Sequence, residues 1–108
     1  MAVQKQDGLH TDVGESAEDL RDKEYYFCER DADGKVSLAG NNATIAGVIS
    51  QGRNTGYHTS FNTRGNPMLK VIAGSAVARN DEIQSDANGK GKTGSTNPFG
   101  KARNSAAA

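Results

Sequence analysis

The chain has no tryptophan, a single cysteine (Cys28), two prolines, and only three tyrosines and three phenylalanines. One cysteine excludes an intrachain disulfide. With His10 and His58 as the only imidazoles, in two separate polar stretches, there is no zinc-ligand set either, so no metal or cofactor is expected. Cys28 lies between Phe27 and Glu29 in a strand-like run, where a buried, inert thiol is the simplest expectation. No apolar run approaches the roughly 20 residues of a helical membrane span, and the N-terminus carries no signal-peptide core. This predicts no membrane partner and synthesis in a cytoplasm. Thirteen cationic residues balance thirteen acidic ones. A neutral chain of this kind has a weak electrostatic footprint for nucleic acid. Leu, Ile, Val and Phe together number 17, against 14 alanines. So lean a supply predicts a thin core that draws stability from neighbouring subunits by mass action.

What the chain does have is turn chemistry. Thirteen glycines and nine asparagines suit short strands joined by tight turns. One phrase occurs twice: Asp31-Ala32-Asp33-Gly34-Lys35 returns as Asp86-Ala87-Asn88-Gly89-Lys90. Asp-Gly and Asn-Gly are strong hairpin signals because glycine takes the positive φ that such turns demand. The first copy follows Tyr25–Arg30, where either Tyr26 and Cys28 or Tyr25 and Phe27 face a core, and Val36 and Leu38 alternate on the return strand. Thr44–Ser50 and Pro67–Ala73 read as further strands.

Two segments stand apart. Residues 1–24 show little apolar periodicity and read as an extended arm, with a short helix capped by Ser16 as the alternative. Residues 50–66 form a long polar connection in which Tyr57, Thr59 and Phe61 alternate, as in a projecting hairpin tip or short strand. The fold expected is therefore all-β: a small β-barrel or β-sandwich over residues 25–108, with an N-terminal arm. Charge is uneven along this layout. Residues 1–24 carry a net of minus four and residues 84–108 a net of plus three, an asymmetry that favours complementary contact within one chain or between copies.

The catalytic and ligand motifs fail on spacing. Gly91-Lys92-Thr93 resembles the end of a phosphate-binding loop, but the required first glycine falls at Asp86 and no helix follows. Glu29, Asp31 and Asp33 with Gly34 imitate half of a calcium loop, yet the twelfth position is Gly40 and not a bidentate glutamate. Ser50, Ser60 and Ser75 lack a nucleophile context beside His58. Arg53, Arg64 and Lys70 near Tyr57 and Phe61 are too few to track a nucleic-acid strand strongly. No enzymatic activity is expected.

The second half, Val71-Ile72-Ala73-Gly74-Ser75-Ala76-Val77-Ala78-Arg79-Asn80-Asp81-Glu82-Ile83-Gln84-Ser85-Asp86-Ala87-Asn88-Gly89-Lys90, with Phe99-Gly100-Lys101-Ala102 and Ala106-Ala107-Ala108, resembles the small capsid decoration (cement) proteins of tailed bacteriophages. Asp31–Lys35 and Ile45–Ile49 echo the same phrase. The resemblance covers roughly residues 25–108. It implies a non-enzymatic protein on the outer surface of the virion, a trimer bound across major capsid protein subunits. It also implies no cofactor and no direct contact with nucleic acid. Members continue past the alanine-rich stretch into a closing apolar strand, so here the arm or a neighbour is expected to supply it. Candidate contact residues are Leu9, Val13 and Leu20 of the arm and Arg53, Tyr57, His58, Phe61 and Arg64 of the polar connection. The rival expectation is a small bacterial β-domain binding a ligand or single-stranded nucleic acid.

Overall fold

The structure is a computed structural model that describes residues 11–63 and 69–106. Both repeated phrases close hairpins. The first joins β2 (Phe27–Arg30) to β3 (Val36–Leu38), and the second joins β6 (Glu82–Ser85) to β7 (Gly91–Thr93). In each, one aspartate oxygen accepts two backbone N–H groups across the turn: Asp31 from Asp33 and Lys35, Asp86 from Asn88 and Lys90, all at 2.8–2.9 Å. Gly34 and Gly89 sit at φ of 79° and 78°, in the left-handed region that glycine enters without steric cost.

The first hairpin belongs to a five-stranded antiparallel sheet with β1 (Thr11–Glu15), β4 (Gly47–Gln51) and β5 (His58–Asn62), in the order β1-β5-β4-β2-β3. The second, with β8 (Gly100–Lys101), makes a three-stranded sheet in the order β7-β6-β8. The fold is all-β and sandwich-like. The larger sheet curls until its two edges touch, through a single parallel bridge between Ser16 and Val36 and the bond from Ala17 N–H to the Val36 carbonyl at 2.8 Å. One bridge does not make a closed barrel.

Strand alternation distributes the core over both faces of the larger sheet. Cys28, Val36, Ile49 and Phe61 turn into the curl, where Leu20 joins them, while Phe27, Ala39, Ile45 and Val48 face the smaller sheet and pack with Val71, Ile83 and Phe99. Of the two alternation patterns read from Tyr25–Arg30, Tyr26 and Cys28 hold together on one side and Phe27 packs on the other, while Tyr25 stays exposed. Phe27 and Phe61 are the largest fully buried side chains, and cutting either to alanine costs about 3–5 kcal/mol. The two sheets are also stitched by backbone: Phe27 N–H donates to Gly89 at 2.7 Å and Asn42 N–H to Ser85 at 3.0 Å.

Three expectations need correction. Residues 11–24 are not a detached arm. β1 pairs with β5 from Thr11↔Asn62 to Glu15↔His58, and Leu20 is wholly buried. The inward residues here are Gly14 of β1 and Ser16 just after it, too small or polar to register as apolar alternation. No helix forms at Ser16, whose hydroxyl donates to the Tyr57 carbonyl and shares a bond with Thr59, while Leu20 N–H donates to Arg53. Donors that a first helical turn would leave open are satisfied by β5 and its approach. Within the described part of the 50–66 connection, residues 52–57 and Thr63 lie outside strands, since β4 runs through Gln51 and β5 spans His58–Asn62, and residues 64–66 lie outside the described residues. Finally, the strand expected over Pro67–Ala73 is reduced, within the described residues 69–73, to one bridge from Ala73 to Gly91. Pro67 and Met68 lie outside the described residues.

Tyr25 is a joint between these parts. Its φ of 72° is rare for a bulky residue and costs about 1–3 kcal/mol. The kink lets its N–H reach the Ile49 carbonyl while its own carbonyl accepts from Ile72.

Candidate functional site

The expected contact residues separate into three groups. Leu20 and Phe61 are core, with 0% and 1% of their surface exposed, and cannot meet a partner without unfolding. Their apolar character was read correctly and their direction was not. Val13, Tyr57 and His58 are exposed. Val13 stands opposite Ser60, and Glu15 opposite His58, so Val13 and His58 share the outward face of β1–β5, and Tyr57 immediately precedes β5. Arg53 is exposed at the bend before β5, its N–H donating to Thr59 Oγ1 at 2.9 Å. Leu9 and Arg64 lie outside the described residues.

Arg30, on β2, ties β1 to the first hairpin. Its guanidinium donates to Asp12 Oδ2, to the Val13 carbonyl and to the Gly34 carbonyl, and it stacks 5.3 Å from the centre of the Phe61 ring. The Val13 N–H holds the Asp12 carboxyl below its usual range, against partial burial, and Arg30 adds to the effect. The Arg21 side chain hydrogen-bonds Asp19 and brings its carboxyl down to about 2.

The residues singled out for catalysis or metal binding have structural roles. Burial pushes the Cys28 thiol up to about 12, and its sulfur donates to the Gly47 carbonyl. A thiol held protonated is a poor nucleophile. Asp31 and Asp86 accept the bonds of their own turns, and Glu29 Oε2 accepts from Gly40 N–H. Gly91-Lys92-Thr93 is a strand, with Lys92 Nζ donating to Asn41. Among the described residues no three His, Cys, Asp or Glu side chains converge as metal ligands.

The structure also holds a concavity that the spacing of motifs did not indicate. A half-open cleft of about 520 Å³ lies over the smaller sheet, between residues 69–77 and residues 99–106. Its floor is Phe27, Ile83 and Phe99, the two rings 5.5 Å apart and tilted by 55°. Leu69, Val71 and Val77 form one wall. Lys70, Lys101 and Arg103 line it, and among the described residues no carboxylate does. Lys70 Nζ rests 4.8 Å from the Tyr25 ring centre. Lys101 and Arg103 are exposed and form no ion pair among the described residues. The one sequence signal for this site is the cationic excess of residues 84–108, to which both belong.

No family model matches the chain, and no curated protein or solved structure matches it.

Proposed function

We propose that this chain is a non-enzymatic decoration protein that binds the outer surface of a mature phage head and bridges major capsid protein subunits. The observation that carries the reading is the pair of contact surfaces on one framework. The outward face of β1–β5 offers Val13 and His58, with Tyr57 exposed just before β5, and the cleft over the smaller sheet offers apolar wall and cationic rim. A bridging protein needs two such surfaces, held at fixed separation by a body that does not flex. Backbone bonds between the sheets and a core on both faces of β2 supply that stiffness. Weak individual contacts suffice, since many copies act together on a regular lattice. The sequence phrase that resembles those of decoration proteins supports the same reading, which takes the protein to be a trimer made in the host cytoplasm before attachment.

The test is co-sedimentation with expanded, undecorated capsids of the matching phage and with unexpanded procapsids. Saturable binding to expanded shells is expected, together with a higher temperature for shell disruption. Absence of binding to both would sink the reading. The rival, a β-domain that holds a small ligand, draws on the cleft alone, whose volume falls within the range of ligand pockets. Ligand binding without capsid affinity would favour it.

A further inference from the structure

The cleft is bordered by backbone that the fold leaves without partners. On one side, among the described residues, no hydrogen bond is made by the N–H or C=O groups of Leu69, Lys70 or Val71, although the next residue, Ile72, donates to Tyr25 and accepts from Gly91. On the other side the same holds for Arg103, Asn104 and Ser105. Their neighbours are fully engaged. Ala102 exchanges bonds with Asp81 and Asn80, and Ala106 pairs with Val77 in both directions. Two unpaired stretches therefore face one apolar floor, and β8 is an edge strand of its sheet.

Backbone in this state is a template for another chain. A hydrocarbon tail would fill the floor but leave these amides and carbonyls to water. An extended polypeptide satisfies both. Charge selects its composition: among the described residues Lys101 and Arg103 at the rim form no ion pair, and no carboxylate lines the cleft. We propose that the cleft seats an extended, acidic segment of a partner protein as an added strand, with an apolar side chain on the Phe27–Ile83–Phe99 floor and carboxylates at Lys101 and Arg103. Identifying that partner as the capsid protein rests on the function proposed above; the peptide chemistry does not.

The test uses the full chain and three probes: the synthetic peptide acetyl-Asp-Leu-Asp-Val-Asp-Leu-Asp-amide, its counterpart with lysine at every aspartate, and dodecanoate. Amide chemical shifts and hydrogen exchange are read across residues 69–71 and 103–105. The acidic peptide should bind at least tenfold more tightly than the basic one, slow exchange at both borders, and weaken as salt rises. The double variant Lys101→Glu, Arg103→Glu alters two exposed side chains, so its urea midpoint should stay at the wild-type value while the peptide preference reverses. Equal binding of the two peptides overturns the proposal. So does tighter binding of dodecanoate with no exchange protection at the borders. Capsid co-sedimentation of the same variant separates the two ideas. If wild type and variant bind shells equally, the cleft is not the capsid contact: the capsid is struck as the partner, while decoration stands and the peptide preference alone decides the site. If neither binds shells but the peptide preference holds, decoration fails and the peptide site remains.

Discussion

The two repeated hairpins have the same turn and different surroundings. Asp31 and Asp86 accept equivalent pairs of N–H groups, and each turn also closes by a bond from the aspartate N–H to the lysine carbonyl, at 2.9 and 2.8 Å. Gly34, however, is exposed, with nothing within 4 Å of the position a Cβ would occupy. Gly89 is buried, its Cβ position 3.0 Å from the Phe27 carbonyl and 3.2 Å from a Leu38 methyl, and its own carbonyl takes the Phe27 N–H. One phrase thus serves once as a solvent-facing cap and once as a fastener between sheets. Local sequence sets the conformation of a turn; what lies over it sets how much the protein depends on it.

Substituting the glycines puts the largest strain on this contrast. Gly89→Ala should cost about 3 kcal/mol in urea unfolding, since the backbone penalty at positive φ is joined by crowding against β2, and Gly34→Ala about 1 kcal/mol from the backbone alone. Equal losses would mean that contact with β2 contributes nothing. The aspartates come next. Asp86→Ala should destabilise by about 2 kcal/mol, because it strands the part-buried N–H of Lys90, and Asp31→Ala by about 1 kcal/mol, since water can replace the lost acceptor.

Cys28 reports on the same difference through reactivity. Its neighbour Phe27 donates its N–H to the Gly89 carbonyl of the second turn, so loosening that turn opens β2. Labelling by a disulfide reagent should be very slow in the wild type, whose thiol is buried and protonated. It should speed up about tenfold more in Gly89→Ala than in Gly34→Ala. Similar rates in the two variants would sever the link between turn and strand.

The smallest effect concerns pH and touches only the first hairpin. Asp12 helps orient Arg30, which in turn holds the Gly34 carbonyl. Because the folded carboxyl titrates below its ordinary value, chiefly through the Val13 N–H, its contribution is complete above about pH 4 and is lost as pH falls through the folded value. Acidification should shift the Gly34 and Arg30 resonances, and Asp12→Asn should remove that step while leaving Gly89 unmoved.

The parts of this fold legible in the sequence are those set by neighbouring residues. The hairpins, the alternation on β2 and the strand beginning near His58 follow from glycine turns and period-two spacing. β1 was hidden because Thr11–Glu15 alternates charges with a glycine and has a single large apolar residue, Val13, which points outward. Its place depends on β5, more than forty positions later. The cleft was hidden for a related reason. Phe27, Val71, Val77 and Phe99 come from separate stretches, and only their placement around one sheet brings them together.

The junction of Ser16 with Val36 has a consequence for how the molecule is made. β1 is among the first described segments to leave the ribosome, but Glu15 must wait for His58 and Thr11 for Asn62. At about 5–20 residues per second that is a delay of some seconds. Throughout it β1 is without its partner, and the open edge of β5 in any further advanced copy close by can accept it. Chains emerging in succession from one message are close by, so exchange of this strand between nascent copies competes with self-closure. Crowded synthesis favours interlocked pairs, and dilute refolding favours single closed molecules.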